Sequence, residues 1–303
     1  LIRPEDNPDK TQGQEKSSPR TDFYIGTCSW SVEDWRGVFY PDHLAHSQWL
    51  TYYAGKFPAV EVDSTFYHAP SESMVKGWYD RTPDDFRFCL KAPRQITHEF
   101  GMGEPEAELK VFLEVISHLK KKLGMVLLSF PPAFHAHPHG KWLHLFLQEL
   151  PTEIKFAIEF RDDSWDAPRF DELLRKHGVT RVWSDKGAPG NLRAFHHLGQ
   201  TSRSAYVRLL GETSAQFDAA GHPLHVYSSL MWPRQNDLDA WAARLGYMEE
   251  LDEIYIFASN YYEGLATETA ERLAERMKLP IEQRAQDWHR HLSSDASQRD
   301  FFE

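Results

Sequence analysis

Residues 60–66 read VEVDSTF. In an extended segment successive side chains point to opposite faces, so Val60 and Val62 share one face and Glu61 and Asp63 the other. A buried charge without a partner costs several kcal/mol, so a strand of this kind needs a fold that supplies its charged face with partners or a ligand. A (β/α)₈ barrel does so. Apolar residues of each strand face the surrounding helices, while the opposite parity points into the barrel and, near the strand's C-terminal end, into the mouth where such folds bind ligands.

Working outward, seven further apolar runs bounded by turn residues appear: FYIGTCSW from 23, FRFCLKA from 86, MVLLSF from 125, KFAIEF from 155, TRVWSD from 180, SAYVRLL from 204 and EIYIFASN from 253. Helix-length amphipathic segments such as HSQWLTYYAGKF, SESMVKGWYDRTP, PRFDELLRKHG and ATETAERLAERM separate most of them. Gly124 and Gly178 stand where helix C-caps belong. The connection KGAPGNLRAFHHLGQTSR after the sixth strand is rich in Gly and Pro and reads as a long loop in place of a full helix. Eight strands with helical crossovers predict a single-domain α/β fold, a (β/α)₈ TIM barrel. An open doubly wound sheet is the alternative, and no Gly-rich dinucleotide fingerprint favours it. The expected division is a disordered N-terminal tail over 1–22, the barrel over 23–280 and a polar C-terminal extension over 281–303.

The parity rule gathers a constellation. Arg87, Cys89 and Lys91 point inward from the third strand, and Glu159 and Arg161 from the fifth. Asp185 ends the sixth strand on the inward parity set by Val182 facing out; Arg208 shares the inward parity of Tyr206 in the seventh, and Asn260 follows the eighth. Charges aimed at one face from several strands call for mutual pairing or for a ligand.

With 45 acidic against 34 basic residues the chain carries −11, which repels a nucleic-acid backbone. No apolar window is long enough to span a membrane. Two cysteines, Cys28 and Cys89, make neither a disulfide scaffold nor a paired zinc motif, so a reducing cytoplasm fits best. The run HAHPH at 135–139 suggests metal ligands by composition alone, without carboxylate or cysteine partners in fixed geometry.

The stretches IGTCSWS, VEVDSTFY, FRFCLKAPRQITH, LSFPPAF, AIEFRDDSW, SDKG, YVRLLG and IYIFASNYYEG, in this order over about residues 23 to 275, resemble the YecE-like family, also called domain of unknown function 72. The resemblance implies a TIM barrel and brings no assigned reaction with it. The chain departs from the family pattern at Asp63, where the family commonly has Asn, and at Ser259 and Asn260, where it commonly has an Asn pair.

These readings lead to an expected enzyme acting on a small anionic metabolite, phosphorylated or sugar-like, without a cofactor or resident metal. Glu61, Glu159 and Asp185 are the expected acid/base groups. Asp63, Tyr67, Lys91, His98, Arg161, Arg208 and Asn260 are the expected substrate-binding residues, the cations taking phosphate or carboxylate. Loss of Arg208 is expected to harm binding more than folding. Trp30, Phe66, Phe134 and Trp165 follow strand ends, where they either stack on a ligand or pack the loops. Two alternatives remain: a divalent-metal-dependent hydrolase or isomerase using Glu61, Glu159 and Asp185, and a non-catalytic ligand-binding protein.

Overall fold

The computed structural model describes residues 21–99, 105–185, 199–211, 226–248, 250–281 and 284. Eight parallel strands form one sheet in the order β1-β8-β7-β6-β5-β4-β3-β2. They are β1 (Asp22–Thr27), β2 (Ala59–Val62), β3 (Arg87–Lys91), β4 (Leu123–Ser129), β5 (Phe156–Glu159), β6 (Thr180–Ser184), β7 (Ser204–Leu209) and β8 (Glu253–Ala258). The helices Trp49–Lys56, Glu72–Asp80, Pro105–Ile116, Ala136–Gln148, Pro168–Lys176, Gln235–Gly246 and Ala266–Arg276 alternate with them. The expected TIM barrel is therefore present. The tail over 1–20, most of the 6–7 connection and all but a few residues of the C-terminal extension lie outside the described residues.

Two layers of apolar side chains follow from the alternating parity. Outward residues such as Ile25, Val60, Val62, Phe88, Leu90, Val126, Ile158, Val207 and Ile256 form one large core with the helices. Inside the barrel, Ala59, Cys89, Met125, Leu127, Ala157, Tyr206, Tyr255 and Phe257 form a second. Small and large residues alternate there, as a filled barrel requires.

β6 is the exception to the expected parity. Val182 packs in the inner cluster and Trp183 in the outer one. Arg181 instead faces the helix layer, where its Nε donates to Asp171 Oδ1 at 2.6 Å on the helix Pro168–Lys176 and its Nη2 donates to the Trp165 carbonyl at 2.9 Å. A buried charge on the outer face misleads any reading that equates apolar with outward.

Gly124 is a second correction. It lies within β4 rather than at a helix C-cap, and a Cβ there would come within 3.0 Å of Cys89 Sγ and the Tyr255 ring. Gly178 does cap its helix, with φ +65° and its N–H donating to the Arg175 carbonyl at 3.2 Å.

Among the described residues, the barrel closes between β1 and β2 without a strand ladder. The Tyr53 hydroxyl fills the gap, accepting from the Thr27 amide at 2.8 Å and donating to the Ala59 carbonyl at 3.1 Å. Gly26 permits the approach: a Cβ there would stand 2.0 Å from the Ala59 oxygen.

Candidate functional site

Arg208 occupies the centre of the C-terminal half of the barrel. Its Nε and Nη2 grip Glu61 with donor–acceptor distances of 2.6–3.1 Å, its Nη1 donates to Glu159 Oε2 at 3.0 Å, and Nη2 also reaches Asp63 Oδ1 at 3.3 Å. The Tyr206 hydroxyl donates to Glu61 Oε2 at 2.7 Å, and Ser129 Oγ donates to Glu159 Oε2 at 2.5 Å. Arg208 is 2 % exposed, and Glu61 and Glu159 are as deeply buried. Burial pushes the Glu61 carboxyl up and neighbouring Asp63 adds to this, while Arg208 and the Tyr206 hydroxyl oppose it. These five side chains form a closed floor in which one guanidinium bridges two carboxylates and a hydroxyl supports each.

Above the floor the packing loosens. Lys91 Nζ stands 3.6 Å from Asp63 Oδ1, and Arg161 Nε stands 3.6 Å from Glu159 Oε2. Both are within ion-pair reach and beyond hydrogen-bond distance. Side-chain exposure rises accordingly, to 35 % for Asp63 and 31 % for Arg161. The turn Asp63–Phe66 is anchored by Thr65, whose hydroxyl lies 2.6 Å from the Lys91 carbonyl and 2.8 Å from that of Val62. This places the Phe66 ring 4.5 Å beneath the Lys91 ammonium and edge-on to His98 at 4.9 Å. His98 also pairs through Nδ1 with Thr97 Oγ1 at 2.8 Å. Burial, then Arg161, Lys91 and Arg94, hold its imidazole down at about 4. His98 is therefore held neutral at physiological pH by burial first and by the neighbouring cations second.

Glu61, Asp63, Lys91, His98, Arg161 and Arg208 thus gather as expected. Asp185 does not. With β6 in the reversed parity, its Oδ1 accepts from the Leu210 and Gly211 amides at 2.7 and 3.3 Å, and its Oδ2 lies 3.5 Å from Arg234 Nη1. It fastens the end of β7, and burial pushes its carboxyl up to about 6 against the pull of those amides and Arg234. The alternative in which Glu61, Glu159 and Asp185 hold a metal finds little support, because Arg208 bridges the first two and the third accepts from backbone amides at the end of β7.

Asn260 is likewise committed, its Oδ1 accepting from Trp35 Nε1 at 3.2 Å and the Ala266 amide at 3.0 Å. Arg208 itself makes internal contacts, which weigh against the expectation that its loss harms binding more than folding. Trp30 packs edge-on to Trp78 and Phe88, and Phe134 stacks on Trp165 at 5.0 Å; these three belong to loop packing. Tyr67 is exposed beside Phe66. Ser129 and Tyr206 went unassigned in the sequence, although each shares the inward parity of its strand.

A cluster of potential metal ligands also exists here: Cys28 Sγ and one oxygen each of Glu61 and Asp63 lie within 4.8 Å of one another. Burial, and then Glu61, raise the Cys28 thiol well above its ordinary value, which keeps it protonated. A protonated thiol and a carboxylate already gripped by a guanidinium fit a divalent ion poorly. Of HAHPH, His135 pairs with Asp162 at 3.0 Å; no histidine joins a group of three potential metal ligands among the described residues.

Comparison with known proteins agrees with this barrel. The chain is 33% identical to the UPF0759 protein YunF of Bacillus subtilis over 272 residues, covering 85% of this chain and 95% of that protein. It is 31% identical to the UPF0759 protein YecE of Escherichia coli over 168 residues, 54% of this chain and 59% of the relative's length. A solved DUF72 family protein from Thermotoga maritima superposes with a TM-score of 0.70 at 30% identity, covering 85% of this chain and 99% of that one. A DUF72 protein from Enterococcus faecalis, at 21% identity and TM-score 0.67 over 85% of this chain and 96% of its own, shares the fold. The family model described as "Protein of unknown function DUF72" matches residues 24–292, and with that span, on this barrel, the chain belongs to the DUF72 family.

Proposed function

We propose that the barrel mouth is the active site of an enzyme that holds a small metabolite by an anionic group between Lys91 and Arg161 and moves protons on it with Asp63 and His98. The observation that carries this reading is the contrast in bond length. Arg208 closes on its carboxylates at hydrogen-bond distance, whereas Lys91 and Arg161 stand 3.6 Å off theirs, within reach of an incoming phosphate or carboxylate. Asp63 is the carboxylate of the cluster that reaches solvent, and neutral His98 offers a ring nitrogen able to accept a proton. Glu61 and Glu159 then act by positioning Arg208 and by balancing its charge rather than by touching substrate.

The reading takes the partner to be a cytoplasmic metabolite rather than nucleic acid, in line with the net charge of −11. Among the described residues no helix is long and apolar enough to cross a membrane. Calorimetric titration with inorganic phosphate tests the site. Binding in the millimolar range or tighter, lost in Lys91→Ala and Arg161→Ala, supports it; no heat of binding at tens of millimolar removes it. A metabolite screen with turnover detection separates an enzyme from a protein that only binds.

A further inference from the structure

The mouth has two unlike sides. Toward β3 and β5 stand Lys91, Arg161 and His98. Toward β2 and β8 stand phenols. Tyr67 follows Phe66 edge-on at 5.1 Å and is 68 % exposed, an unusual amount of aromatic surface to leave in water. Tyr261, just past β8, lies edge-on to Tyr227 at 5.7 Å. Tyr67 ends the turn that Asp63 begins, and the Tyr261 phenol is raised by burial and next by Tyr67 and Asp63. The backbone here is fixed: the Tyr227 amide donates to Asp34 at 2.9 Å, and a Cβ on Gly211 would stand 2.2 Å from the Tyr261 carbonyl. Asp63 lies between the two sides, 3.6 Å from Lys91.

Resting on the anion-binding reading above, we infer that the ligand is a phosphorylated sugar, its phosphate on Lys91 and Arg161 and its hydroxylated body on Tyr67, Tyr261 and Asp63. Each surface selects a part of such a molecule. Aromatic faces take the apolar C–H face of a sugar ring, phenol hydroxyls and a carboxylate take its hydroxyl edges, and the cations take the phosphate oxygens. The short step from Asp63 to Lys91 requires a hydroxyl within a bond or two of the phosphate ester. An alkyl phosphate fails this test because its chain strips water from Asp63 and the phenols without replacing those hydrogen bonds. Free sugars fail because they leave the cations unanswered.

Calorimetry with four kinds of probe decides the matter: inorganic phosphate, n-butyl phosphate, a set of pentose and hexose phosphates, and glucose with glucuronate. At least one sugar phosphate is expected to bind about tenfold tighter than both butyl phosphate and inorganic phosphate. Tyr67→Ala should erase that advantage while keeping inorganic phosphate binding, and because Tyr67 is exposed the variant should fold as the parent does. If every sugar phosphate binds no better than inorganic phosphate, the sugar assignment fails while the anion site stands. If glucuronate outbinds them all, the phosphate assignment fails. If no phosphate binds at all, the anion site and this inference fall together.

Discussion

The floor and the rim of the mouth are built from the same residue types and behave as opposites. In the floor, Glu61, Glu159 and Arg208 are buried, hydrogen-bonded and shored up by Tyr206 and Ser129. At the rim, Lys91 and Arg161 stand 3.6 Å from Asp63 and Glu159, while the more exposed Asp63 also reaches Arg208 at 3.3 Å. The difference teaches that a cluster of charges has to be divided by depth before roles are given out. Deep charges bonded to one another hold shape, and shallow ones at arm's length are those the proposed function assigns to a ligand.

Removing Arg208 should give the largest effect. Arg208→Met leaves Glu61 buried without its guanidinium and Glu159 with the more distant Arg161, and breaking a buried pair in this way costs about 3–5 kcal/mol. Denaturant unfolding measures it. A loss below about 1 kcal/mol with ligand binding abolished would place Arg208 among the rim groups and break the division. Arg161→Ala is the converse: Arg161 is the partly exposed, more distant partner of a Glu159 that keeps Arg208, so the midpoint of unfolding should move far less than in Arg208→Met while phosphate affinity falls about tenfold or more.

The smallest effect is the most specific. His98 is held at about 4, whereas an unfolded chain takes up that proton near 6.5. The unfolded state therefore binds more protons between those values, so the contribution of His98 to stability is intact above 6.5 and is lost as pH falls toward about 4. Bound phosphate should raise the histidine's value by favouring the imidazolium, which an NMR titration with and without phosphate reads directly. An unchanged titration curve would move the anion away from the rim.

Part of this was legible in the sequence. Val60 and Val62 against Glu61 and Asp63 announce which way β2 faces, and the same alternation in β3, β5, β7 and β8 aims Lys91, Glu159, Arg161, Arg208 and Tyr206 correctly. The rule broke at β6 because a buried ion pair, Arg181 with Asp171, reverses the usual link between polarity and face. Asp185 was misdirected with it. Depth was not legible at all: parity gives the direction of a side chain and says nothing of whether a neighbour lies at 2.6 or 3.6 Å. Asn260 sits where a ligand group would, yet its oxygen is taken by Trp35 and Ala266, partners far away in the chain or out of register with any motif.

A barrel closed along seven joints by ladders and along the eighth by one phenol is a hoop with a single compliant stave. The stave next to that joint is β2, and the turn that follows it carries Asp63 and Phe66 with Tyr67 after them, half of the mouth. The cations ride on β3 and just past β5, which are laddered to each other through β4, and β2 is laddered to β3, so the unladdered joint separates β2 from β1 and β8 only. Opening at Tyr53 would therefore widen the aromatic side while leaving the spacing of Lys91 and Arg161 unchanged. Under the proposed function, this sets a clamp of constant spacing opposite a jaw hung beside the one joint without a ladder.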